Sequence, residues 1–204
     1  MKLPDTAICV AAVDLAREHS PAFLFNHVMR SFAFGHSAGL SQGPKYDVEM
    51  LFLGSVLHDL GLVDRFVSEG RFEVDGADAA AEFLSRRGYP DKKIASHLGR
   101  NRAAHHATDT AAQAAGDCPR PTWSGVDVGA IPRDILEPSA VERILAEYPR
   151  LGFKEAMLQA MAAVVSKKPM TGIVNLMGEV GREMVDHYHA PGFCDVMRGA
   201  QFDE

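Results

Sequence analysis

The sequence has few cysteines and no long hydrophobic run. Three of its 204 residues are cysteine (Cys9, Cys118 and Cys194), and none of them has the Cys-x-x-Cys spacing of a metal or redox motif. An odd number of scattered cysteines favours free thiols in a reducing cytoplasm. No apolar run approaches the ~18 residues that would span a membrane, and the N-terminus lacks the charged-then-apolar layout of a signal peptide. The sequence therefore predicts a cytoplasmic protein with no membrane partner.

Clusters of basic residues are also missing. The formal net charge is −6, with 21 Lys and Arg against 27 Asp and Glu, whereas a nucleic-acid groove needs a basic stripe. We therefore predict no nucleic-acid partner. The hydrophobic share of 47% and the charged share of 24% are ordinary for a globular protein. We predict a single domain over 1–204, with a core at about 4–190 and a frayed polar tail at 198–204; a homo-oligomer is left open.

Alternating strand patterns are scarce in this chain, and helical periodicity dominates. We predict an all-α bundle of about seven to nine helices around a metal site. The predicted helices are 5–18, 21–38, 48–59, 76–87, 140–147, 153–167 and 171 to about 187. Asp47, Asp75, Ser139 and Thr171 are the predicted start or cap residues of four of them. Gly61 is the predicted C-terminal stop of the third.

The most informative pattern is His27, the adjacent pair His58–Asp59, and Asp127. Imidazole and carboxylate hold divalent transition metals while leaving positions open for water, and a metal so held can make hydroxide near neutral pH. His58 and Asp59 end an otherwise apolar helix, where a buried imidazole and carboxylate need partners. His27 shares a helix face with apolar residues. A lone histidine there is more often a hydrogen-bonded core residue than a ligand, but the His58–Asp59 pair reverses that preference.

These residues stand within longer strings that resemble the HD superfamily of metal-dependent hydrolases, and within it the cyanamide hydratase-like branch. The strings are Asn26-His27-Val-Met-Arg30-Ser31, Leu57-His-Asp-Leu-Gly-Leu62, Arg71-Phe-Glu-Val-Asp-Gly-Ala77, Tyr148-Pro-Arg150 and Lys168-Pro169. The resemblance covers most of residues 4–190. It implies an all-α fold with one divalent transition metal, for which zinc is preferred and iron is the alternative. The implied metal ligands are His27, His58, Asp59 and Asp127.

The same resemblance implies an enzyme that adds water to a small polar substrate, as in the hydration of cyanamide to urea. Asp59 would both ligate the metal and take a proton from the attacking water. His105 stands where the branch has a pocket histidine that could pass a proton to nitrogen. The residues expected to bind substrate or to orient a ligand are Arg30, Glu73 and Lys168. For Glu73, an ion pair with Arg71 or Arg30 near the surface is the alternative.

Two other functions are left open by the sequence. One is a phosphohydrolase acting on a nucleotide or a phosphomonoester, which would need cations for the phosphate oxygens. Arg30, Arg71 and Lys168 are the cations placed for that. The other is a non-catalytic helical module that binds a metal or a partner. His187 and His189 are interpreted as surface histidines rather than as a second metal site.

Residues 97–125 do not fit the rest of the chain. From 99 to 125 there is no Leu, Ile, Val, Met or Phe. One interpretation is a lid over the site, although structureless loops this long are uncommon in compact domains. The other is a compensated pair of frameshifts, with the normal frame resuming near Val126-Asp127. Read from the second base of each codon, residues 97–107 permit Ile-Trp-Asp-Ala-Ile-Ala-Leu-His-Thr-Thr, which resembles the cyanamide hydratase-like branch at this place.

Overall fold

The computed structural model describes residues 1–42, 47–95, 124–129, 134, 136–173 and 175–199. Within these residues the chain forms helices and no strand, which confirms the predicted all-α fold. The α-helices are α1 (Ala7–His19), α2 (Ala22–Gln42), α3 (Val48–Leu57), α4 (Phe72–Ser85), α5 (Ser124–Val128), α6 (Pro138–Glu147), α7 (Phe153–Lys167), α8 (Leu176–Met184) and α9 (Phe193–Arg198). Short 3-10 helices cover Leu60–Leu62, Asp64–Phe66 and Pro169–Gly172. None of the described helices is both long and apolar enough to cross a membrane.

The start of α4 differs from its prediction. The helix begins at Phe72, with Arg71 as its N-cap, rather than after Asp75. The predicted cap is wrong because the Asp75 carboxylate turns back to the preceding loop. There it accepts hydrogen bonds from the backbone N–H groups of Ser68 at 2.7 Å and Gly70 at 3.0 Å. Asp75 therefore holds the loop that leads into α4.

The chain after α7 also differs from its prediction. Thr171 lies in a 3-10 turn, where its hydroxyl donates a hydrogen bond to the Lys168 carbonyl at 2.8 Å. α8 begins five residues later, at Leu176. Its cap is Asn175, whose side chain accepts a hydrogen bond from the N–H of Met177 at 2.9 Å. The local hydrogen bond of Thr171 closes a turn, and a helix start needs a cap in the extended conformation that Asn175 adopts.

α2 lies at the centre of the fold and carries the first histidine. It packs against α3, α5, α6 and α7, and every residue from 27 to 35 is buried. The predicted inward orientation of His27 is therefore confirmed. A helix buried on all sides tolerates polar side chains only where they have partners. On α2 those side chains are His27, Arg30 and Ser31, and the Ser31 hydroxyl donates to the His27 carbonyl at 2.9 Å.

Two glycines bring α4 against the turn that follows α3. A Cβ added at Gly61 would stand 1.8 Å from the carbonyl oxygen of Phe72, and one added at Gly76 would stand 2.8 Å from the backbone nitrogen of Gly61. Glycine is required at both positions for this close approach. α3 has already ended at Leu57, with His58 as its C-cap. The prediction that Gly61 stops α3 is therefore wrong, and its role is to let α4 pack against the turn.

Gly61→Ala is expected to destabilise the protein by about 3 kcal/mol or more, because overlap with backbone atoms cannot be relieved by side-chain rotation. Chemical denaturation should show a lower midpoint at an unchanged slope. Gly192→Ala is a suitable control, since its new Cβ would meet no atom closer than 3.6 Å. A Gly61→Ala protein as stable as the wild type would contradict this packing.

Candidate metal centre

The end of α3 allows two adjacent residues to face the same point. Neighbouring residues on a helix diverge by about 100°, so both can reach one ion only where the helix ends. His58 still has helical dihedrals, with φ −67° and ψ −32°. Asp59 leaves the helix, with φ −101° and ψ 16°. This change of backbone direction turns the Asp59 carboxylate toward the His58 ring.

Three of the predicted ligands form a buried group. Asp59 Oδ2 lies 3.3 Å from His27 Nε2 and 3.2 Å from His58 Nε2. The ligand atoms of the three residues all lie within 4.8 Å of one another, and all three side chains are buried. The centroids of the two imidazole rings are 5.2 Å apart. α2 and the end of α3 thus bring together two nitrogens and one carboxylate oxygen from positions 31 residues apart along the chain.

The other nitrogen of each imidazole is held by an acceptor. His27 Nδ1 lies 2.7 Å from Asp127 Oδ2, and His58 Nδ1 lies 2.7 Å from the Ser55 carbonyl oxygen. Because both neighbours only accept, each Nδ1 carries a proton and donates it. Each Nε2 is then the ring nitrogen that can bind a metal. A carboxylate or carbonyl behind the imidazole is the usual way in which proteins orient a metal-binding histidine.

This donor set fits a divalent transition metal. Each Nε2 lone pair that points at the Asp59 carboxylate oxygen is repelled by that oxygen. The repulsion is relieved only if a cation lies among the three atoms or if each ring takes a second proton. Imidazole and carboxylate together suit zinc or iron. The coarser prediction of a His and Asp metal site is supported by the three converging ligands.

Burial and charge act in opposite directions on the ionisable groups of this centre. Burial alone would lower the pKa of His27, but the Asp127 and Asp59 carboxylates outweigh it and raise the pKa of His27. Burial would raise the pKa of Asp59, but His58 and His27 hold it well below its usual range. The pKa of Asp127 is lowered in the same way, with His27 and Arg30 offsetting burial. Both carboxylates are therefore ionised at neutral pH, which suits a cation site.

Asp127 lies against His27 Nδ1 and is not part of the group formed by the other three predicted ligands. Its carboxylate is surrounded by cations. Arg30 donates from Nη2 to Asp127 Oδ2 at 2.6 Å and from Nε to both carboxylate oxygens at 3.0 Å. Arg150 donates to Asp127 Oδ1 and, at 3.1 Å, to the Asp127 carbonyl. In this geometry Asp127 orients His27, and both arginines hold Asp127 in place.

Asp127→Asn is expected to weaken metal binding by about 10- to 100-fold, the usual loss when a group behind a metal-binding histidine is changed. It should also lower stability by about 3–5 kcal/mol, because the buried Arg30 would lose its counter-charge. Metal titration and thermal denaturation would measure the two effects. Asp59→Asn is the matched comparison and should lose far more metal. Equal loss in both variants would make Asp127 a direct ligand instead.

The other residues predicted for the site either pair with other parts of the fold, are buried on α4, or lie outside the described residues. Arg30 is fully buried and is occupied by Asp127 and by the carbonyls of Tyr148 and Pro149. Lys168 donates to Asp75 at 2.6 Å and to the Gly70 carbonyl at 2.7 Å, so it closes the loop before α4. Glu73 is buried in the first turn of α4. His105, with most of the 97–125 segment, lies outside the described residues.

Three residues at this centre were not predicted as site residues. Ser55 contributes only its carbonyl oxygen, for which no side-chain pattern exists. Arg150 was part of the Tyr148-Pro-Arg150 string and could have been chosen on that ground. The ring of Phe153 stacks on the His27 ring at 4.7 Å. The guanidinium groups of Arg30 and Arg150 lie 5.1 Å and 4.7 Å from the centroid of the same ring, so Phe153 packs beneath the whole network.

No protein-family model matches this sequence, and no curated protein is similar enough to count as a match. The resemblance to the HD superfamily therefore depends on the quoted strings and on the geometry of the three ligands.

Proposed function

We propose that this protein is a metal-dependent enzyme of the HD type that adds water to a small polar substrate, with cyanamide as the first candidate. The observation that carries the proposal is the convergence of His27 Nε2, His58 Nε2 and Asp59 Oδ2 in a buried site. The hydrogen bonds behind both imidazoles strengthen it, because a purely structural histidine has no need of a fixed Nε2 lone pair. Three protein ligands leave further coordination positions for water and substrate.

A divalent metal bound there would supply Lewis acidity and activate water near neutral pH. The protein residues hold and orient the reacting groups. Asp59 stays ionised, since the two histidines keep its pKa low, and it is the base nearest to the point where the ligands meet. His27 is fixed from two sides, by Asp127 and by the Phe153 ring. This rigidity favours catalysis, because the positions of the ligands are set before substrate arrives.

The cations needed by a phosphohydrolase are occupied, which favours the small neutral substrate. Arg30 is committed to Asp127, and Lys168 is committed to Asp75. Arg71 donates to the Ile173 carbonyl at 3.2 Å. A phosphate group bound by Arg30 or Lys168 would have to displace a carboxylate. The phosphohydrolase alternative is therefore less well supported than the hydratase.

Metal analysis and a substrate panel test the proposal. We expect the purified protein to contain about one equivalent of zinc or iron, and the metal-loaded form to produce urea from cyanamide. Small nitriles and phosphate esters complete the panel, and chelator-treated protein is the control. Hydrolysis of the phosphate esters alone would favour the phosphohydrolase. Protein without bound metal, or metal-loaded protein inactive on every compound, would favour the non-catalytic module.

A cytoplasmic location is part of the same proposal. Among the described residues, Cys9 is a buried free thiol and Cys194 is an exposed free thiol. Exposed thiols persist in a reducing compartment and are oxidised outside it. A homo-oligomer is consistent with the proposal and would be measured by light scattering on the purified protein.

A further inference from the structure

Glu73 is a buried acid whose partner is absent from the described part of the chain. Its side chain is only 4% exposed, and its Oε2 atom is buried there without a hydrogen-bond partner. The two arginines expected to pair with it donate elsewhere: Arg30 to Asp127, and Arg71 to the Ile173 carbonyl. The N-terminus of α4 offsets part of the cost of burying this charge. A buried polar atom left unsatisfied indicates a partner that is not one of these side chains.

Glu73 lies on the face of α4 that packs against the turn following the His58–Asp59 pair. It precedes Gly76 by one helical turn on the same face, and a Cβ added at Gly76 would stand 3.3 Å from the His58 carbonyl oxygen. The residue before it, Phe72, belongs to the same apolar cluster as Phe153, whose ring stacks on His27. The first turn of α4 thus packs against the turn that follows His58 and contributes Phe72 to the apolar cluster that contains Phe153.

We propose that Glu73 determines substrate specificity by accepting a hydrogen bond from an N–H group of the substrate. The substrate class is then a small neutral molecule with an N–H-bearing amino group on the carbon that water attacks. This inference rests on the proposed function and narrows it. A carboxylate at this position repels phosphates and carboxylates. It also disfavours analogues without N–H, because they leave the buried oxygen unpaired.

The kinetic test compares cyanamide with dimethylcyanamide, which lacks the N–H groups. In the wild type we expect a strong preference for cyanamide in kcat/KM. Glu73→Leu should reduce that preference by about 10- to 100-fold, with metal content unchanged and a melting temperature that is not lower. Removing an unpartnered buried carboxylate does not cost stability when the replacement has similar volume. Glu69→Leu, at an exposed position four residues earlier, is the control and should leave the preference unchanged.

A binding test separates this inference from the proposed function. Calorimetry on the zinc-loaded protein should show acetamidinium binding that is at least about tenfold weaker in Glu73→Leu. Tetramethylammonium, a cation without N–H, should bind neither form. If acetamidinium binds through Glu73 but the protein hydrates none of the compounds, the proposed function is wrong and this inference stands. Unchanged preference and unchanged acetamidinium binding in Glu73→Leu would overturn the inference, and so would loss of metal or a lower melting temperature.

Discussion

His58→Ala is expected to remove stoichiometric metal from the protein and to abolish any metal-dependent activity. Only His27 Nε2 and Asp59 Oδ2 of the converging group would remain, and two ligands rarely hold a transition metal against dilution. A metal bound there would also tie α2 to the end of α3, so metal should stabilise the fold by mass action. At a metal concentration of a thousand times Kd this effect amounts to about 4 kcal/mol. The melting temperature of the metal-loaded wild type should exceed that of His58→Ala by roughly 10 °C.

The control for this variant is His189→Ala, since His189 is exposed. It should keep both metal and melting temperature. Adding a chelator to the wild type should reproduce the loss seen in His58→Ala, because both remove the same interaction. Ligand distances in the metal-loaded protein, measured by X-ray absorption, should be about 2.0–2.2 Å for nitrogen and oxygen. Stoichiometric metal in both His58→Ala and Asp59→Ala would show that the site is wrongly assigned.

Local sequence predicts a helix well where its ends carry strong signals. The bounds of α7, Phe153–Lys167, coincide with the prediction, because Gly152 precedes it in the left-handed conformation and Pro169 follows it. The predicted start of α4 was wrong, and no local sequence pattern could have corrected it. Asp75 is a good cap in isolation, but Lys168, 93 residues away, and the loop before α4 take its carboxylate. Long-range pairing thus overrides a local preference.

At the metal centre too, the sequence predicts which residue types come together better than it predicts their partners. The types and spacing of His27, His58 and Asp59 predicted three groups that the fold does bring together. The position of Asp127 depends on Arg30 and Arg150, which together bind its two carboxylate oxygens. No spacing rule states whether a carboxylate will meet an arginine or a metal, since both attract it. The carbonyl of Ser55 could not be predicted at all, because its role depends only on backbone geometry at the end of α3.

The segment 97–125 is the remaining disagreement between the chain and its resemblance. Its residues 97–123 lie outside the described part of the chain. The same shifted reading that permits a family-like decapeptide at 97–107 permits Glu-Ile-Ala-Leu-Val at 116–120. It would therefore supply aliphatic residues where the written sequence has none. A helix without an apolar stripe has nothing to bury against the core, so the two versions predict different pocket walls around the same metal ligands.

Restoring the shifted-frame text over 97–125 is expected to raise cyanamide turnover by about 100-fold or more, since correct positioning of a substrate can lower a barrier by several kcal/mol. Metal content should stay the same, because His27, His58 and Asp59 lie outside the exchanged segment. The restored protein carrying His58→Ala is the control and should be inactive. A peptide map and an intact mass of the natural protein would establish which text the cell makes. If the protein as written already turns over cyanamide as fast as the restored one, the segment is a functional variation and the frameshift hypothesis is wrong.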